Sequence, residues 1–101
     1  MARTPLTDSE IAEALASLPG WEHSGGSLTK TFRLAKYLDG LSLATEVGQM
    51  AEQMDHHPMI VIGWKRVTIT FSTHDADNKV TAWDVKAAAA VEALPAARSA
   101  T

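Results

Sequence analysis

Apolar residues recur at intervals of three and four along three stretches of the chain, which is the spacing that places them on one face of a helix. The first stretch follows Thr7, and Glu10 completes a capping-box spacing with it. The second and longest stretch covers residues 36–55. The third begins near Thr81, where Asp84 again gives the capping-box spacing. The pattern therefore predicts three helices.

Two hairpins are predicted between these helices. Gly25-Gly26 joins the first two strands, because a glycine pair suits the tight turns whose backbone has positive φ. Residues 59–64 and 67–73 form the second hairpin. In the latter segment apolar residues alternate with Thr and Ser, which is typical of a strand with one buried face.

The order of elements predicts an α+β fold. Residues 1–101 read as a single domain of order αββαββα, with a two-layer arrangement in which helices pack on one face of a four-stranded antiparallel sheet. The segment from Pro95 onward is predicted to be a frayed tail.

The register of the second hairpin depends on its turn. A turn at Lys65-Arg66 pairs apolar residues with apolar residues, as a buried sheet face requires. A turn at Gly63-Trp64 has better turn chemistry, but it would place an aromatic residue opposite a histidine. We therefore predict the turn at Lys65-Arg66.

Composition narrows the chemistry available. The absence of cysteine excludes a disulfide framework, a thiolate metal site and a cysteine nucleophile. A net charge of −3 offers no clustered basic surface, so we expect no nucleic-acid partner. The apolar runs are too short for a membrane span and no signal-peptide pattern opens the chain, so we expect a cytoplasmic protein without a membrane partner.

Histidines and carboxylates concentrate in one region. Glu52 and His56 lie four residues apart at the end of the long helix and so share a face, and Asp55 lies beside them. The favoured register places His57 opposite His74 at the open end of the second hairpin. Because imidazole exchanges protons near neutral pH, and a carboxylate can orient it, this group of residues suits proton transfer to and from a small substrate.

Purely structural explanations compete with this hypothesis. His56 could serve only to complement the helix dipole, and Asp84 could serve only as a capping carboxylate. His23, alone on the first hairpin, is interpreted as an ordinary surface residue. Three aromatic residues are interpreted as core rather than as ligand-stacking groups: Trp64, Trp83 and Phe71.

A zinc centre is the competing chemistry, because three histidines and a carboxylate form a common ligand set. The adjacent His56 and His57 would diverge in extended backbone, and no HExxH spacing is present, so no metal site is predicted. Ser72 and Thr73 precede His74, but neither lies in a nucleophile elbow.

The motif residues extend beyond the histidines. Residues 52–58 read Glu-Gln-Met-Asp-His-His-Pro, an aromatic residue follows at Trp64, Ser72-Thr73-His74 comes after the last strand, and a carboxylate follows at Asp84. In this arrangement, which covers nearly the whole chain, the sequence resembles the pterin-4a-carbinolamine dehydratases.

The resemblance implies a dehydratase that converts 4a-hydroxytetrahydrobiopterin to quinonoid dihydropterin and water, and so recycles the cofactor of an aromatic amino acid hydroxylase. It implies no bound cofactor and no metal, since the pterin is the substrate. By resemblance the catalytic residues are His56, His57 and His74, and which of them is acid and which is base stays open. The supporting or substrate-binding residues would be Glu52, Asp55, Pro58, Ser72, Thr73 and Asp84.

The resemblance also implies a homo-oligomer, either a dimer formed by sheet extension or a tetramer. Two family branches supply the alternative of a non-catalytic module: one doubles as a dimerisation cofactor for a homeodomain transcription factor, and another assists assembly of a photosynthetic carboxylase. The complete histidine motif favours catalysis.

Overall fold

The computed structural model describes residues 3–101. Over these residues the chain forms the elements α1 (Asp8–Leu15), β1 (Glu22–Ser24), β2 (Ser27–Arg33), α2 (Tyr37–Met54), β3 (Met59–Gly63), β4 (Arg66–Phe71), α3 (Ala82–Glu92) and α4 (Pro95–Arg98), with a 3-10 turn at His74–Ala76 before α3. Both predicted capping boxes are present, at Thr7 with Glu10 and at Thr81 with Asp84.

The four strands form one antiparallel sheet in the order β1-β2-β4-β3. Val67, Ile69 and Phe71 of β4 are fully buried under α2 and α3, whereas Thr68 and Thr70 point to the opposite, open face. This confirms the α+β class and the packing of helices on one face. The core combines side chains from both layers, and the largest of those that are fully buried are Phe71, Leu28, Leu43, Ile69, Val47 and Val67.

The first hairpin follows its prediction. Ser24 pairs with Ser27, so Gly25-Gly26 forms the turn, and Gly25 has a φ of 58°. Positive φ costs little in glycine because there is no Cβ to collide with the backbone.

The core-facing side of α2 combines large and small residues. Gly40, Leu43, Val47 and Ala51 are buried, whereas Tyr37 is exposed. A Cβ on Gly40 would lie 3.2 Å from a methyl group of Val67 (Cγ2), so the glycine allows the helix to lie close to β4.

Neither register considered for the second hairpin is correct. The turn is Trp64-Lys65, so Ile62 pairs with Val67, and Lys65 itself adopts the left-handed backbone with a φ of 58°. The predicted turn lies one residue later, which moves each pairing by two residues and keeps every side chain on the same face. The apolar pattern therefore could not distinguish the registers, and the proposed juxtaposition of His57 with His74 across the strands is wrong.

The segment after Pro95 is also not a frayed tail. It forms α4, in which Pro95 occupies the first turn, where its fixed φ and missing N–H are tolerated. Ala97 is buried, and the Thr101 N–H donates to the carbonyl of Arg33 at 2.8 Å. The C-terminal residues therefore close the end of the core next to β2.

No helix among residues 3–101 is long and apolar enough to cross a membrane.

Gly26 brings the first hairpin against the loop that follows the 3-10 turn. A Cβ at this position would lie 1.8 Å from the carbonyl oxygen of Asn78, which is backbone and cannot rotate away. The Ser72 hydroxyl also donates to the Gly26 carbonyl at 2.7 Å, and this hydrogen bond fixes the turn of the first hairpin to the end of β4.

We expect Gly26→Ala to lower the free energy of unfolding by about 1–3 kcal/mol, because the added methyl group must separate two packed backbone segments. Urea denaturation measures the change. Gly48→Ala is the matched control: the space around Gly48 in α2 is open, so alanine should raise the stability by up to about 1 kcal/mol through its helix propensity. A Gly26→Ala protein as stable as the parent would contradict the close approach.

Candidate functional site

The end of α2 separates the two adjacent histidines. The helix ends at Met54, and Asp55 has a φ of 50°, in the left-handed region. This reversal turns the chain inward at the next residue, so His56 is buried while His57 stays exposed. Two neighbouring imidazoles therefore lie in different environments.

His56 is held inside the protein by a carboxylate and two aromatic rings. It is 5% exposed, and its Nε2–H donates to Asp84 Oδ1 at 2.7 Å. Its ring is nearly parallel to that of Phe71, with centroids 5.9 Å apart, and it lies 6.3 Å from that of Trp83. The two aromatic rings and the hydrogen bond from Nε2 to Asp84 thus fix the orientation of this imidazole.

Asp84 is fully buried and receives hydrogen bonds at both oxygens. Besides His56 at Oδ1, the Thr73 hydroxyl and the Thr81 N–H donate to Oδ2, at 2.7 and 2.8 Å. Since the Thr73 proton is used by Asp84, the Thr81 hydroxyl, 2.7 Å away, must donate to Thr73 and accept from the Trp83 N–H. Asp84 therefore both completes the capping box of α3 and orients His56, so the two explanations considered for it are compatible.

The exposed pair consists of His57 and Glu52, not of His56 and Glu52 as helical spacing suggested. His57 Nε2 lies 2.6 Å from Glu52 Oε1, and the two side chains are 54% and 78% exposed. Because the carboxylate accepts at Nε2, the nitrogen of His57 that can exchange a proton with a substrate is Nδ1.

His74 lies at the same end of the β3–β4 hairpin as His57. It is the first residue of the 3-10 turn, three residues after β4 ends, whereas His57 lies two residues before β3 begins. Its Nδ1 is 3.4 Å from Asn78 Oδ1, a long contact that orients the exposed ring weakly. The fold thus places both exposed imidazoles at one edge of the molecule despite the changed register.

The other predicted residues surround this edge. Asp55 is exposed at the helix reversal, and Pro58 is half-buried immediately before β3. Ser72 ties the end of β4 to the first hairpin, and Thr73 contacts Asp84. Residue spacing gave Thr81 only a capping role and missed its place in the buried network.

His23 is exposed on β1, and its interpretation as an incidental surface residue stays a prediction. Two of the three aromatic residues interpreted as core are placed otherwise: Trp64 is exposed at the turn, and Trp83 is half-buried beside His56. Within the described residues no three histidine or carboxylate side chains are arranged to bind a metal ion.

We expect Asp84→Ala to lower the free energy of unfolding by about 3–5 kcal/mol, because it leaves three buried donors without an acceptor and removes the helix cap. Chemical denaturation gives the value. Glu13→Ala, on the exposed surface of α1, is the control and should change stability by less than about 0.5 kcal/mol. An equal effect of the two substitutions would show that the buried network is not a structural element.

Comparisons with known proteins identify relatives of this chain. The family model for pterin 4 alpha carbinolamine dehydratase matches residues 4–94. A Streptomyces coelicolor protein, provisionally named as such a dehydratase, is 37% identical over 100 residues, which cover 99% of each chain. A similarly named protein of Mycobacteroides abscessus is 45% identical over 69 residues, covering 68% of this chain and 73% of the relative.

Two solved structures share the fold. A transcriptional coactivator/pterin dehydratase from Brucella melitensis superimposes with a TM-score of 0.84 at 33% identity, covering 92% of this chain and 98% of the other. A pterin dehydratase-like protein identified as a RuBisCO assembly factor of the alpha-carboxysome gives a TM-score of 0.62 at 23% identity, over 73% and 87% of the two chains, and shows likeness of fold alone. With a family match over most of its length and relatives of this similarity, the chain belongs to the pterin-4-alpha-carbinolamine dehydratase family.

Proposed function

We propose that the protein dehydrates 4a-hydroxytetrahydrobiopterin to quinonoid dihydropterin and so recycles the cofactor of an aromatic amino acid hydroxylase. The observation that carries this proposal is the pair of histidine–carboxylate contacts, His56 with Asp84 and His57 with Glu52, beside a third histidine in a member of this family.

The reaction requires two proton transfers and needs neither an oxidant nor a reductant. The bond between C4a and the hydroxyl oxygen breaks as that hydroxyl receives a proton and leaves as water. N5 loses its proton, and the electron pair of the N5–H bond forms the C4a–N5 double bond. Because one proton enters and one leaves, the elimination is neutral overall, and the proposal includes no bound cofactor and no metal.

The exposed histidines suit the two proton transfers. His57 presents Nδ1, since its Nε2 faces Glu52, and His74 presents Nε2, since its Nδ1 faces Asn78. His56 lies deeper, so its role here is to form the floor of the site in an orientation fixed by Asp84.

Replacing either exposed histidine by alanine should lower kcat/KM for pterin dehydration by about 10²–10⁴, the usual contribution of a positioned acid or base. Stopped-flow absorbance of the carbinolamine measures the rate. His23→Ala is the matched control, because it removes an exposed imidazole from β1 and should leave the rate unchanged. Full activity in folded His57→Ala or His74→Ala would refute the assignment.

The same assay addresses a non-catalytic role. The Brucella melitensis relative is titled both coactivator and dehydratase, so an assembly or dimerisation function is a real alternative for this chain. A parent protein that folds and does not accelerate dehydration above the spontaneous rate would favour that alternative.

We also propose that the protein forms a homodimer by extension of its sheet. The support is β3, a five-residue edge strand whose Met59 and Val61 are 67% and 55% exposed. Edge strands of soluble proteins are usually short, charged or covered, and this one carries only apolar residues and a glycine.

Val61→Lys should convert the dimer to a monomer, because two ammonium groups would meet at the centre of the paired strands. Sedimentation velocity measures the change. Thr31→Lys places the same charge on the same open face of β2, away from the edge, and should leave the dimer intact. A monomeric parent protein would contradict the proposed assembly.

A further inference from the structure

The exposed half of the site is open to water in a single chain. More than half of the His57 side chain and three-quarters of that of Glu52 are accessible to solvent. Solvent weakens the contacts of exposed charged groups, whereas acid–base sites gain from the exclusion of water. The geometry of one chain therefore supplies the proton-transferring groups but no cover over them.

Unpartnered apolar surface lies next to this opening. Among residues 3–101, four of the six large hydrophobic side chains that are exposed fall within the short segment formed by β3 and its turn: Met59, Val61, Ile62 and Trp64. Trp64 is the most exposed, at 74%, and it lies at the opposite end of β3 from His57. In its own chain it is thus separated from His57 by the length of β3.

We infer that a second copy of the chain completes the site, and that Trp64 and Lys65 of the partner subunit form the wall beside His57. The inference rests on the proposed function and on the proposed dimer, and it names the residues through which the dimer would serve catalysis.

Antiparallel pairing of two β3 edges produces this placement. A two-fold axis through a residue of β3 keeps the helices of both copies on one face of the joined sheet. With the axis at Val61, Ile60 opposes Ile62 of the partner subunit, Pro58 opposes its Trp64, and His57 opposes its Lys65. Moving the axis by one residue shifts these positions by only two residues, about 7 Å along the strand, a distance that an indole side chain can span.

Charge favours the same arrangement. Lys65 Nζ lies 4.6 Å from the centre of the Trp64 ring, so the ammonium group and the indole form one surface at the turn. Glu52 and Asp55 are exposed at the opposite end of β3. An antiparallel pairing therefore brings the cationic turn of each copy to the carboxylates of the other.

The wall would suit the chemistry of the substrate. An indole offers a flat apolar surface on which a fused heterocycle can stack, and it excludes water from the histidine beneath. Lys65 of the partner subunit would balance the negative charge of Glu52 while the imidazole exchanges its proton.

Subunit complementation tests the inference. Trp64→Ala should lower the dehydration rate at least tenfold, and His57→Ala should lower it further. When the two variants are unfolded and refolded together, half of the dimers are mixed, and each mixed dimer carries one site with His57 and Trp64 both intact. The mixture should therefore regain about a quarter of the parental rate.

Three controls interpret the result. A mixture of His57→Ala with His74→Ala should regain no dehydration rate. Each site takes both histidines from the same chain, so no site in a mixed dimer has both of them intact. Leu38→Ala removes another exposed apolar side chain, outside β3, and should keep the parental rate. Trp64→Phe should restore most of the rate lost in Trp64→Ala, since it keeps an aromatic face.

Trp64→Ala with full activity, or a mixture with no gain, would overturn the shared site. A parent protein without dehydratase activity would instead refute the proposed function. In that case binding of 7,8-dihydrobiopterin, measured by equilibrium dialysis on the same variants and mixture, decides the inference: recovery of binding in the mixture supports the shared site, and no recovery overturns it.

Discussion

The buried carboxylate of Asp84 is the interaction on which the rest of the site depends. A fully buried charge is tolerated only when its oxygens are hydrogen-bonded, and here three donors satisfy it: an imidazole, a hydroxyl and a backbone N–H. These donors come from the end of α2, the end of β4 and the start of α3. One side chain therefore connects the three elements that form the site, and it fixes the tautomer of His56 at the same time.

The left-handed residue Asp55 gives the two adjacent histidines different environments. Continued helical backbone would keep the next residue on the face of Glu52, which is the pairing that spacing alone suggests. The reversal instead sends His56 to Asp84 and leaves His57 to Glu52. One backbone conformation thus produces a buried imidazole and an exposed imidazole from consecutive positions.

Local signals in the sequence are sufficient for α1, α2, α3 and the class of fold, but not for α4. Thr81 with Asp84 marks a helix start wherever the segment lies, because the capping box involves only neighbouring residues. The turn at Trp64-Lys65 has no such signal. A register that slips by two residues keeps all apolar side chains on the core face, so only the left-handed backbone of Lys65, a tertiary outcome, selects it. The predicted juxtaposition of His57 with His74 across the strands failed for the same reason.

Trp64 is exposed although its sequence position suggested a core residue, and this difference has a physical cause. An aromatic residue between two strands fits a core position by composition, yet burial of its indole would require the turn to fold over the sheet. The observed turn leaves it in solvent, at the end of an edge strand without charged residues. Such a surface is costly in a monomer, because it combines unpaired backbone groups with exposed apolar area. A second copy across the edge would satisfy both, and it would do so next to the open face of His57. The properties that made Trp64 unpredictable from one chain are thus those expected of a residue whose environment is completed by another.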